Sequence, residues 1–197
     1  MEPTYLSDRF QAAVNLAFEL HQNQLRKGSQ VPYFSHLMGV STLVLENGGT
    51  ENEAIAALLH DAVEDQGGLP TLERIKAEFG DEVADIVDGC TDAYTQPKTD
   101  WKERKINYLE RLKTASDSVV LVSLSDKVHN SRSILRDLQK EGDTIWDWFK
   151  GKKSGTLWYY QSLANIFDES SYSFLKQELR QLVEELITLA YLQETGL

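Results

Sequence analysis

Cysteine is almost absent from this chain, and Cys90 alone can close no intrachain disulfide and builds no thiolate metal site. Proline is scarce too, with four residues in 197, which leaves long stretches free to form helix. No uninterrupted apolar run approaches membrane-spanning length, so no membrane partner is expected. The N-terminus, "MEPTYLSDRF", has no basic-then-apolar leader layout. Together these absences lead us to expect a cytoplasmic protein. A basic surplus is also missing: the formal net charge is −11. That argues against binding a nucleic-acid polymer, which needs a basic face. A small phosphorylated ligand needs only a few placed cations and stays open.

What is present reads as one all-α domain spanning residues 1–197, with about ten helices. Phe10, Val14, Ala17 and Phe18 recur at helical spacing in residues 5–23. Gly28 and Pro32 then mark a loop. A second helix is expected from Ser35 or His36 to Gly48-Gly49. Thr50, three residues before Glu53, predicts a capped start for a third. That third helix is expected to run to the glycine pair Gly67-Gly68. Shorter helices follow from Thr71 to Gly80 and from Asp81 to Cys90, then a polar break over 92–99. Helices are next expected from Trp101 and from about Ser118, the latter with an extended start. Three more are expected in the final third. The leucine spacing of the last one, from Ser173, suits packing on its own domain or on a second copy, so self-association stays open.

One stretch crowds chemistry together. "LLHDAVEDQGG", Leu58–Gly68, carries His60, Asp61, Glu64 and Asp65 within six residues. Acids at a helix end work against the helix dipole. Three such carboxylates would raise one another's pKa unless a cation sat among them. A divalent ion accepts imidazole and carboxylate together, but one helix cannot surround it. His36, at the start of the second helix, and Asp126, a lone carboxylate between Leu124 and Val128, are the candidates to complete the set. Two histidines and two aspartates suit Mn²⁺ or Fe²⁺ better than structural zinc. The same residues also fit ordinary ion pairing, with Asp126 bound to Lys127 or Arg132. His21 and His129 read as structural or as supports for a ligand rather than as ligands.

The set His36, His60-Asp61 and Asp126 resembles the HD-domain metal-dependent phosphohydrolases. More closely, "RKGSQVPYFSH", "LLHDAVEDQGG" and "LSDKVHN" look like the hydrolase motifs of the RelA/SpoT-type alarmone enzymes, especially the small stand-alone ones of animals. The order of the three motifs over residues 26–130 is more specific than the His-Asp pair alone. The resemblance implies an all-α HD fold and Mn²⁺ held by His36, His60, Asp61 and Asp126. It also implies that Glu64 and Asp65 are the acids of hydrolysis. It further implies removal of the 3′-pyrophosphate from (p)ppGpp, giving GDP or GTP. Leu37 and Ala62 depart from the common pattern, but neither departure removes a ligand or an acid.

Phosphate recognition needs cations close to those acids. Arg26 and Lys27 precede Gly28 in the loop that leads to His36. Lys98 lies in the polar break, and Asn130 stands one turn beyond Asp126. Solvated surface is the competing reading for Lys98, Lys102 and Lys105 alike, and a structural role the competing one for Lys127. Tyr33, Trp158 and Tyr159 are the aromatic candidates for a nucleobase wall, with Tyr159 retained as a substrate contact, although aromatics at helical spacing also build cores. Two other readings stand beside (p)ppGpp hydrolysis. One is an HD phosphohydrolase acting on another nucleotide such as NADPH. The other is a nucleotide-sensing binding module.

Overall fold

The computed structural model describes residues 3–95 and 97–194. In chain order its helices are α1 (Asp8–His21), α2 (Phe34–Glu46), α3 (Glu51–Leu59), α4 (Ala62–Asp65) and α5 (Leu69–Phe79). They continue with α6 (Asp81–Cys90), α7 (Trp101–Leu112) and α8 (Asp117–Glu141). A 3-10 segment (Gly142–Trp148), α9 (Lys152–Phe167) and α10 (Ser173–Glu194) complete the chain. Among the described residues there is no strand, only an isolated bridge between Leu25 and Pro32. The all-α expectation holds.

Helix α3 is the axis of the fold. Thr50 accepts from the Glu53 backbone while Glu53 reaches back, the capping box its sequence predicts. From Ala54 to Leu59 every side chain is buried. Three alanines in that run keep its surface slim, so α1, α2, α6 and α8 can all approach it. Burying Ile55, Leu58 and Leu59 contributes about 1.5–3 kcal/mol each. Helix α8 crosses this centre, capped by Ser116. It is helical from Asp117, so the expected extended start does not form. Valines at 119 and 122 pack in the core as helical residues instead. Helix α10 packs along α8 of its own chain.

Two boundaries differ from the sequence expectation. Helix α5 starts at Leu69 rather than Thr71, because Gly68 at φ 66° turns the chain and Pro70 fits the first turn. The third helix does not run on to Gly67. It ends at Leu59, and the backbone opens at Asp61 (φ −97°, ψ −3°) before α4 begins. The His60 ring Nδ1 lies 2.7 Å from the Ala57 carbonyl, where a side-chain donor competes with the helical ladder.

Candidate metal centre and active site

The end of α3, the start of α2 and the middle of α8 meet at one buried point. His36 and His60 are 0% and 3% exposed, and Asp126 is 5% exposed, so none of the three is a solvated surface group. His36 Nε2 lies 3.2 Å from Asp126 Oδ1 and 3.7 Å from Asp61 Oδ2. His60 Nε2 lies 3.0 Å from Asp61 Oδ2 and 3.6 Å from Asp126 Oδ1. Neither imidazole Nε2 has a partner in hydrogen-bond geometry, although both are buried. One ligand atom each from His36, His60 and Asp126 lies within 4.8 Å of the others. Orphaned nitrogens facing carboxylate oxygens are the donor set a divalent ion accepts, so these residues fit one.

The outer nitrogens set the tautomers. His60 Nδ1–H donates to the Ala57 carbonyl, which turns Nε2 toward the Asp61 and Asp126 carboxylates, where a bound ion would take the place of its proton. His36 Nδ1 lies 2.9 Å from His129 Nδ1. With Nε2 of His36 facing the carboxylates, its Nδ1–H donates and His129 accepts. Burial, with His36 and Arg26 nearby, holds His129 down at about 4, so it stays neutral. It fits there only because position 39 is glycine, where a Cβ would overlap its ring. His129→Ala is therefore expected to weaken divalent-ion binding at this site about tenfold to hundredfold, read by titration calorimetry. Unchanged affinity would show that His36 needs no such support.

The carboxylates are equally tied. Tyr33 donates to Asp61 Oδ2 at 2.5 Å, and burial followed by that carboxylate raises its own pKa well above the usual range. Asp126 accepts from Lys127 through Oδ2 and from Asn130 through Oδ1. Burial opposes ionisation of Asp126, but Lys127 and the two histidines outweigh it and hold the pKa well below its ordinary value. Burial would lower His60, yet Asp61 and Asp126 raise it well above an ordinary histidine. The cluster thus attracts positive charge.

A cavity of about 490 Å³ opens beside this point. Arg26, Lys27, Lys98, Asn130 and Tyr159, the residues expected to meet substrate, all line it. Arg26 donates to Asn130 Oδ1 at 2.7 Å and lies over the Tyr33 ring. Lys98 donates to Glu64 at 2.7 Å and to Asp65 at 3.1 Å. Gln24 also donates to Asp65, at 2.9 Å. Tyr159 is 5% exposed, more wall than platform, and its buried hydroxyl has no partner. Eight of the chain's 20 Lys and Arg residues line this one cavity. In a chain of net charge −11, that concentration suits a compact polyanion.

Three readings need correction or extension. Lys105 is not solvated surface: it donates to Asp92 at 2.6 Å, lies over the Tyr159 ring and lines the cavity. Trp158 is not set against the cavity; Lys102 sits on its ring 2.7 Å from the centroid. Asp92 and Arg104 escaped sequence reading altogether. Their one signal is a lone acid after α6 facing adjacent cations on α7.

An HD-domain family profile matches residues 13–157. Guanosine-3′,5′-bis(diphosphate) 3′-pyrophosphohydrolase MESH1 of Xenopus tropicalis is 40% identical over 127 residues, 63% of this chain and 68% of that protein. The Mus musculus protein of the same name is 32% identical over 178 residues, covering 88% of this chain and 92% of its own. A solved structure described as a metazoan ortholog of SpoT that hydrolyzes ppGpp superposes with a TM-score of 0.75 at 26% identity. The match covers 92% of this chain and 97% of that one. A Listeria monocytogenes structure superposes with a TM-score of 0.66 at 33% identity, over 76% of this chain and 96% of that one.

Proposed function

We propose that this chain, which belongs to the HD-domain family and within it to the metazoan SpoT homologues, hydrolyses the 3′-pyrophosphate of (p)ppGpp to GDP or GTP and pyrophosphate. The relatives' activity supports the substrate, and the observation that carries the chemistry is the shared cavity. It sets Glu64 and Asp65 beside His60, whose buried Nε2 has no hydrogen-bond partner, and beside Asp61 and Asp126, and rings them with cations. His36, His60, Asp61 and Asp126 hold the ion, which we assign as Mn²⁺. Such an ion supplies an acidified water and offsets charge on phosphoryl oxygens.

The two acids stand in different surroundings. Burial, and then the Asp92 carboxylate, push Glu64 up, which suits a proton donor. Asp65 is more open, at 27% side-chain exposure, and takes the proton of the attacking water. The bond from phosphorus to the ribose 3′ oxygen breaks, and Glu64 gives its proton to that oxygen. Arg26, Lys27 and Lys98 hold the pyrophosphate. Lys98 bridges both acids in the free enzyme and turns to phosphate as substrate enters.

The test is turnover with Mn²⁺ of ppGpp, pppGpp, NADPH and dNTPs, followed by chromatography. Release of pyrophosphate from ppGpp and pppGpp is expected. Turnover of NADPH alone would move the activity to another nucleotide. No turnover of any substrate with metal bound would leave a binding module.

A further inference from the structure

The loop between α1 and α2 sends a neutral side chain to the acids of the cavity. Gln24 Nε2 donates to Asp65 Oδ2 at 2.9 Å. A carboxylate only accepts, so the nitrogen end of this amide faces Asp65 and the oxygen end faces away. That oxygen is held twice: Gln66 Nε2 donates to it at 2.6 Å, and His21 Nδ1 lies 2.8 Å from it. Facing an acceptor, His21 carries its proton at Nδ1. The His21 ring is buried and stacks on Tyr33 with centroids 5.4 Å apart, so the donor is fixed. The backbone of Gln24 is pinned as well. Its amide donates to the His21 carbonyl at 3.0 Å, and its carbonyl accepts from the Tyr33 amide at 2.8 Å. Each polar atom of Gln24 is thus engaged, which leaves the side chain one way to point.

We infer that Gln24 is a positioning residue: anchored by His21 and Gln66, its amide holds Asp65 by Oδ2 and leaves Oδ1 to take the proton of the attacking water. The inference rests on the reading of Asp65 as the group that takes that proton. Asp65 is the last residue of α4, and a helix of four residues is too short to fix a terminal side chain by itself. Its side chain has two partners, Gln24 on Oδ2 and Lys98 on Oδ1. Lys98 is a cation in the cavity, drawn to phosphate as substrate enters. An amide has no charge to follow the phosphate, so Gln24 is the partner that Asp65 keeps through the reaction. The carboxylate is then held by one oxygen from one side, with its rotamer set by a support that is itself locked.

Gln24→Met keeps the length of the side chain but offers Asp65 no donor. The expected signature is a split: kcat for ppGpp falls about tenfold to hundredfold, while KM and Mn²⁺ affinity stay level. Were Gln24 only a staple of its loop, Arg26 and Lys27 would shift with it and KM would rise. Gln66→Leu takes one donor from Gln24 without removing any side-chain bond of Asp65, and should lower kcat by less, again at level KM. In an Asp65→Ala background neither substitution should cost anything further. Losses that add to that of Asp65→Ala, a raised KM in Gln24→Met, or a wild-type kcat in Gln24→Met would overturn the inference. A fully active Asp65→Ala would instead overturn the reading of Asp65 on which it rests. Should Gln24→Met not fold, Gln24→Glu keeps an acceptor for His21 and Gln66 while its carboxylate has no hydrogen for Asp65, and its kcat is read in the same cycle.

Discussion

Asp126→Ala is expected to lose the bound ion and to lower kcat/KM by about a thousandfold or more. The carboxylate lies mid-way along α8, 5% exposed, with one oxygen turned to His36 and His60. Without it the two imidazoles face Asp61 alone. Lys127 also loses its partner, and leaving a buried cation unpaired costs about 3–5 kcal/mol. Asp65→Ala is the informative contrast. Asp65 makes its bonds to Gln24 and Lys98 rather than to either histidine. That variant is expected to keep full Mn²⁺ affinity and melting temperature while kcat falls by about 10²–10⁴-fold. Metal content by elemental analysis, beside steady-state kinetics, separates the two. Equal, unchanged activity in both variants would refute the site assignment.

The contrast rests on residues whose legibility differs. The histidines and acids stand in short motifs with local causes, and so do the caps at Thr50 and Ser116. Periodicity likewise exposes α1, α6 and α7, because an amphipathic face is a property of the helix itself. The break at His60 was hidden. It arises from a side chain bonding the Ala57 carbonyl, and nothing in the apolar spacing of "AIAALL" marks it. Charge pairing across the fold was hidden for a different reason. Asp92 and Arg104 are twelve residues apart and meet only because the chain just after α6 folds back on α7. Lysines 102 and 105 look alike in sequence, yet helix rotation sends one to the Trp158 ring and the other into the cavity. Gly39 and His129 are a third kind: an absent Cβ on α2 matters only through a ring on α8.

Gly28 is the strongest case of that kind. Residues 24–33 form a tight loop, closed by bonds from the Arg26 amide to the Val31 carbonyl and from the Tyr33 amide to the Gln24 carbonyl. Gly28 sits at its tip with φ 69°, which a residue bearing a Cβ adopts at about 1–2 kcal/mol. Any Cβ there would also overlap the Trp148 indole from the 3-10 segment after α8. The following residues, Phe149 and Lys150, line the cavity. The C-terminal third therefore braces the loop that presents Arg26 and Lys27. Gly28→Val must either push Trp148 aside or lift the loop, and a displacement near 1 Å in a positioning group costs about 10²-fold in rate. We expect kcat/KM for ppGpp to drop about a hundredfold, mainly through KM, with Mn²⁺ affinity unchanged. The melting temperature should fall by about 5–10 °C, as a loss of 2–3 kcal/mol implies. Adding Trp148→Ala removes the overlap but not the backbone strain, so it should recover part of KM and little of the melting temperature. If Gly28→Val leaves KM as it was, the loop is not braced by the indole, and phosphate binding depends on the α7 cations instead.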